Sequence, residues 1–65
     1  MKVEMIVHTT CDVELELVEQ GTGKIIIPRT FVADEGDYDA EDAAKTRMRN
    51  FCKKKGFDLV GEVWS

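Results

Sequence analysis

The sequence predicts an α+β fold with element order β-β-β-α-β: a mostly antiparallel four-stranded sheet with one helix packed on one face. Three observations lead to this fold class. The chain has 65 residues, which gives room for one domain spanning residues 1–65 and a single modest core. Short segments of alternating apolar and polar residues are typical of strands. One later segment repeats apolar residues at helical spacing.

The first two strands are expected at residues 2–8 and 12–19, where apolar and polar residues alternate. A single strand from 2 to 19 would be about 55–60 Å long at roughly 3.3 Å per residue. That length is too great for a domain of this size, so the chain must turn near residues 9–11. The side chains expected to face the core are Val3, Met5, Val7, Val13, Leu15 and Leu17.

The third strand is expected at residues 24–32, after a tight hairpin at Gly21-Thr22-Gly23. Glycine supplies the positive φ that such turns require. Three consecutive isoleucines favour a strand because their branched side chains suit a pleated surface. Pro28 cannot donate a ladder hydrogen bond, so this strand should lie at the sheet edge or carry a bulge.

A helix is expected over residues 40–55, with Asp39 as its N-cap, Asp42 at the third helical position and Gly56 as its stop. Acidic residues in the first turn and lysines in the last turn suit the helix dipole. The apolar stripe that should pack on the sheet consists of Ala40, Ala43, Ala44, Met48, Phe51 and Cys52.

The last strand is expected at residues 57–64. Simple alternation directs Phe57, Leu59 and Val63 toward the helix, and it directs Asp58, Val60, Glu62 and Trp64 away from it. A right-handed crossover through the helix places this strand parallel to the first and beside it. The predicted sheet order is therefore 3-2-1-4.

Charge is distributed unevenly along a chain whose net charge is −4. Residues 34–42 contain six acids and no base, whereas residues 45–55 contain six bases and no acid. A negative net charge does not favour general affinity for nucleic acid.

The two cysteines, Cys11 and Cys52, are too few for a disulfide framework, and both are expected to be buried thiols. Sparse cysteine suits a reducing compartment. Neither an apolar signal segment after Lys2 nor an apolar run of about 20 residues is visible. We therefore expect a cytoplasmic protein without a membrane segment.

Catalysis is not expected, because His8 is the single histidine and no nucleophile is placed near it by sequence. A chain this short also offers little concave volume for a substrate. The spacing of His8 and Cys11 supplies only two of the four ligands that a zinc site needs, with Cys52 as a further candidate. Residues 34–42 are as acidic as a calcium loop but lack its glycine at position six. We therefore expect no catalytic residue, metal or cofactor.

A nucleic-acid-binding module is one alternative. Lys45, Arg49 and Lys53 recur every four residues along the helix and could follow phosphates. The solvated face of an amphipathic helix gives the same pattern.

The preferred expectation is a protein-binding module that acts as an adaptor or inhibitor. One helix covers only one face of a four-stranded sheet, and large apolar residues on the other face would mark an interface. The residues expected there are Ile6, Val18, Ile26, Val32, Val60 and Trp64. A homodimer formed through this face, with a structural role, is the other alternative.

A variant of this expectation involves charge mimicry of DNA. Alternate strand residues lie roughly 6.6–7 Å apart, close to the phosphate spacing of one strand. The acidic residues concerned are Asp12, Glu14, Glu16 and Glu19. Small acidic proteins encoded by phages and mobile elements often block a host protein in this way, which is an analogy rather than a deduction from residues.

Overall fold

The computed structural model describes residues 1–65 and contains the five predicted elements in the predicted order. The strands are β1 (Lys2–His8), β2 (Asp12–Glu19), β3 (Ile25–Asp34) and β4 (Asp58–Trp64), and the helix α1 is Tyr38–Lys55. The sheet order is β3-β2-β1-β4, as predicted. The sheet is mixed, since β1 pairs antiparallel with β2 and parallel with β4.

The two central strands follow the alternation of their sequences without interruption. Every second residue of β1 and β2 is buried under the helix, and the residues between them are half-buried on the opposite face. Their pairing has no register shift along its length. The buried core consists of Val3, Met5, Val7, Val13, Leu15, Leu17, Ala33, Ala44, Met48 and Cys52.

Other predicted core residues are less enclosed. Phe51, Phe57 and Leu59 are only partly buried, although they pack against the core. Phe51 and Phe57 meet edge to face with their ring centroids 6.1 Å apart. The prediction that Val63 lies in the core is wrong, because Val63 is exposed.

The hairpin between β2 and β3 forms at the predicted glycines. Gly21 and Gly23 have φ angles of 92° and 73°, which place both in the region that favours glycine. The Glu19 N–H donates to the Lys24 carbonyl at 2.8 Å, which closes the turn.

The helix begins earlier than predicted. Its N-cap is Asp37, whose carboxylate accepts a hydrogen bond from the Ala40 N–H at 3.2 Å, so the assignment of Asp39 as the cap and of Asp42 to the third position is wrong. A turn at Glu35 and Gly36 follows β3 and brings Asp37 directly to the helix start. Asp39 lies instead in the first turn, where its charge still suits the helix dipole.

The helix ends at the predicted Gly56. This residue has a φ of 74°, and its N–H donates to the Lys53 carbonyl. The next N–H, from Phe57, donates to the Cys52 carbonyl at 2.8 Å. These two bonds form a Schellman motif, which satisfies carbonyls at the helix end and turns the chain into β4. No helix of the chain is both long enough and apolar enough to cross a membrane.

Candidate protein-binding surfaces

The face of the sheet opposite α1 is covered by no other element, and the strand register determines which side chains it carries. Paired residues on neighbouring strands point to the same side of a sheet. Ile6 is paired with Val63 of β4, and Val18 is paired with Ile25 of β3. Ile6 and Val18 are diagonal neighbours, because Ile6 is paired with Glu16. Val63, Ile6, Val18 and Ile25 therefore form an apolar band that crosses all four strands.

The outer members of the apolar band are well exposed. Ile25 and Val63 are 57% and 41% exposed, and Phe31 is 55% exposed on the same face, opposite Glu14. Ile6 and Val18, on the two central strands, are half-buried between them. The exposed apolar surface thus reaches both edges of the sheet.

Two of the β3 residues predicted for this face lie on the other one. Ile26 and Val32 of β3 pack against the core, and Val32 lines a groove beside α1. The β3 register against β2 shifts three times, and each shift inserts a residue that reverses the alternation. Ile25 and Phe31 therefore take the uncovered positions instead.

A bulge in β4 also changes which face the residues of that strand occupy. Val3 is paired with Leu59, but the next residue, Glu4, is paired with Gly61. The extra residue, Val60, shifts the alternation of everything that follows. The prediction that Val60 lies on the uncovered face is wrong, because Val60 lines a groove with residues of α1.

Trp64 consequently lies on the helix side of the sheet, and the prediction that it points away from the helix is wrong. It is paired with the buried Val7. The Lys45 Nζ lies 4.4 Å from the centroid of its ring, within the range of a cation–π contact. Trp64 is nevertheless 56% exposed, because β4 is an edge strand.

Two polar contacts link side chains on the uncovered face. The Glu16 Oε1 lies 3.0 Å from the His8 Nε2, and Arg29 donates to Glu14 at 2.6 Å. Both contacts flank the apolar band with polar groups. Asp12, Glu14 and Glu16 share this face, as alternation predicts: Glu14 forms an ion pair with Arg29, Glu16 contacts His8, and Asp12 makes neither kind of contact.

Glu19 does not belong to that acidic row. It is paired with Val3, which faces the helix, and its carboxylate accepts a hydrogen bond from the Thr22 hydroxyl at 2.7 Å in the hairpin. A row of four evenly spaced phosphate-like charges is therefore not formed.

Two basic residues of the helix, Lys45 and Arg49, contact β4. Lys45 is buried and lies 2.9 Å from Glu41 and 3.7 Å from Glu62. Arg49 donates to the same Glu62 at 2.6 Å. Of the three residues in the predicted stripe, only Lys53 makes no ion pair.

The candidate metal ligands do not come together, since no three His, Cys, Asp or Glu side chains are grouped as a metal site would require. Cys11 is exposed in the turn between β1 and β2, so the prediction that it is buried is wrong. Cys52 is buried, as predicted, and loss of solvation raises the pKa of its thiol above the ordinary value of 9.0.

Two grooves flank the helix, so the expectation of little concave volume is wrong. The larger, of about 430 Å³, lies between α1 and β4 and is lined by Arg49, Cys52, Lys53, Phe57, Leu59, Val60, Gly61 and Glu62. The smaller, of about 230 Å³, lies between α1 and β3. Both are open along their length.

Sequence reasoning missed Ile25, Phe31 and Val63 as residues of the uncovered face. Two signals in the sequence point toward the irregularities that move them. Pro28 interrupts the third strand, and Gly61 stands inside the fourth, and each is typical of a bulge. Neither signal says how many residues a bulge inserts, and that number decides the face.

Comparison of the chain with known protein families, with curated proteins and with solved structures found no match. Function is therefore inferred from the geometry of the chain itself.

Proposed function

We propose that this chain is a small protein-binding module, an adaptor or an inhibitor, that contacts its partner through the uncovered face of the sheet. The observation that carries the proposal is the apolar band of Val63, Ile6, Val18 and Ile25. An uncovered sheet face in a monomer is usually polar. An apolar centre flanked by charged pairs is instead the ordinary anatomy of an interface.

Binding rather than catalysis is supported by the state of the reactive groups. His8, the single histidine, contacts Glu16 on the flat face of the sheet. The raised pKa of Cys52 keeps its thiol protonated, whereas a nucleophilic cysteine needs a lowered pKa. Two unpaired cysteines are also in keeping with a reducing compartment, and we propose the cytoplasm.

Nucleic-acid binding is less well supported than protein binding. Carboxylates already neutralise Lys45 and Arg49, which leaves Lys53 as the one unpaired cation of that stripe. DNA mimicry is also weakened, because Arg29 neutralises Glu14 and the Glu16 carboxylate contacts the His8 ring.

The test removes the exposed apolar surface at the β3 end of this face. In the variant Ile25→Ser/Phe31→Ser both changes are at exposed positions, so we expect little change in folding stability. Tyr38→Ser is the matched control, since Tyr38 is an exposed aromatic residue at the start of α1 and belongs to no strand. Tagged wild-type and variant proteins are incubated with native cytoplasm, and the retained proteins are identified.

We expect a protein retained by the wild type and by Tyr38→Ser to be lost with the double variant. Equal retention by all three proteins would contradict the proposal. If amide substitutions at Asp12, Glu14 and Glu16 alone abolished retention, the contact would be electrostatic and the charge-mimic variant would replace it. Light scattering tests the homodimer: a dimeric mass that becomes monomeric in the double variant would identify the band as a self-interface.

A further inference from the structure

The free edge of β4 and the groove beside it form a second surface, separate from the uncovered face. β4 is the last strand of the order β3-β2-β1-β4, so only one of its edges is paired. Nearly all of its residues are exposed. An unpaired edge presents backbone donors and acceptors that another strand can use.

The two edges of the sheet are protected very differently. β3 contains Pro28 and three register shifts, which are the usual means of blocking a further strand. β4 contains neither proline nor lysine and has one register shift, before Gly61. From Gly61 to Trp64 it follows β1 in regular register. One edge is thus closed to strand addition while the other remains open.

The backbone groups available on this open edge can be identified. The Ser65 N–H donates to the Val7 carbonyl at 2.9 Å, so the backbone groups of Ser65 point toward β1. Backbone groups of successive residues in a strand point to opposite edges. The N–H and C=O groups of Trp64 and Glu62 therefore point outward.

The groove between α1 and β4 lies alongside this edge. Its floor is apolar, formed by Leu59, Phe57 and Val60, and its volume of about 430 Å³ is ample for a large apolar side chain. A strand added to β4 directs every second side chain to the helix side of the sheet, where the groove is. The same strand can therefore use the backbone edge and the groove together.

The charged side chains beside the groove favour a bound segment of the opposite charge. Arg49 is neutralised by Glu62, but Lys53 makes no ion pair, and Lys54 and Lys55 follow it at the helix end. The helix end of the groove is thus basic in a protein of net charge −4. Outward backbone groups beside an apolar groove do not suit nucleic acid. An acidic peptide complements the backbone groups of β4, the apolar groove and the basic helix end together.

We propose that the β4 edge binds an extended acidic segment of a partner protein as a fifth strand. An apolar side chain of that segment occupies the groove between α1 and β4, and a carboxylate two residues along, which points to the same side, pairs with Lys53. Such strand addition takes its affinity from main-chain hydrogen bonds and its specificity from the groove.

The probe is a capped peptide of about eight residues, a length close to that of an ordinary strand. Every second residue is in turn leucine or glutamate, so that both kinds of side chain lie on one face, and the residues between them are threonine. Binding is followed by the amide resonances and amide hydrogen exchange of the protein. We expect the Glu62 and Trp64 amides to become protected from exchange on binding. The Ser65 amide, already bonded to Val7, serves as the internal reference.

Charge-reversal variants test the contribution of the groove. Lys53→Glu should weaken binding about fivefold, because an exposed ion pair is replaced by a repulsion. Lys24→Glu, with the same charge change in the β2–β3 hairpin, should leave binding unchanged, as should Ile25→Ser/Phe31→Ser on the uncovered face. A peptide with lysine in place of glutamate should bind more weakly than the acidic one.

Four outcomes would overturn the proposal: no peptide binding; binding without protection of the Glu62 and Trp64 amides; equal binding of the acidic and basic peptides; or protection of those two amides by self-association in the absence of peptide. The last would make a second copy of the chain the occupant. Each result concerns β4 alone, so the failure of this proposal and the failure of the proposed interface on the uncovered face are distinguishable.

Discussion

The Lys45 Nζ lies over the ring of Trp64, 4.4 Å from its centroid, and joins the helix to the edge strand. The same ammonium group lies 2.9 Å from Glu41 and 3.7 Å from Glu62. Lys45, in the middle of the helix, thus contacts two side chains of β4. Since nearly all residues of β4 are exposed, this contact adds to the backbone pairing with β1 in holding the strand.

Removing this cation should loosen β4. Lys45→Ala leaves the partly buried Glu41 without its ion pair, and we expect the free energy of unfolding to fall by about 1–3 kcal/mol. Lys53→Ala, which breaks no ion pair, should change it by less than about 0.5 kcal/mol. Urea unfolding followed by circular dichroism measures both values. Equal stability of the two variants would show that the network contributes nothing.

The helix cap provides a second prediction that separates two neighbouring aspartates. Asp37→Ala removes the hydrogen bond to the Ala40 N–H and should cost about 1 kcal/mol. Asp39→Ala removes only a favourable charge in the first turn and should cost roughly 0.3–0.5 kcal/mol. Thermal or urea unfolding distinguishes them, and a larger effect at Asp39 would restore the cap position that the sequence suggested.

Burial of Cys52 makes stability depend on pH in the alkaline range. Its pKa is raised in the folded protein, so above about pH 9.0 the unfolded chain releases a proton that the folded chain retains. The contribution of the Cys52 thiol to stability is fully present below that pH and is lost as the pH rises toward the folded pKa. Unfolding curves are measured at pH values from about 8 to about 10. The free energy of unfolding should fall more steeply with pH in the wild type than in Cys52→Ala. Parallel losses would contradict the assignment.

The ion pairs of the helix also predict its behaviour toward DNA. We expect no measurable binding to duplex DNA at physiological salt, that is, binding weaker than that of nonspecific binders, whose Kd is roughly 10⁻⁴–10⁻⁶ M. Fluorescence anisotropy with a labelled duplex provides the measurement. Micromolar, salt-sensitive binding that was lost on substitution of Lys45, Arg49 and Lys53 would instead favour the nucleic-acid alternative.

The sequence by itself determined the element order, the sheet order and the facing of the central strands. Alternation in β1 and β2 is uninterrupted, so the side of each residue follows from its number alone. The glycines at the hairpin and at the helix end likewise act locally, because the positive φ of each is a property of its own turn.

Tertiary structure decided the facing of the edge strands. Val63 and Trp64 lie on the faces opposite to those that simple alternation predicts, because one extra residue enters β4 beside Gly61. Ile26 and Val32 also lie on the opposite face, because β3 shifts register against β2. A bulge forms where the twist of an edge strand and its packing against the helix require it. These requirements come from neighbouring elements, so no pattern within the strand itself fixes them. The same holds for Lys45, whose polar position on the helix became buried only because β4 placed Glu62 and Trp64 beside it.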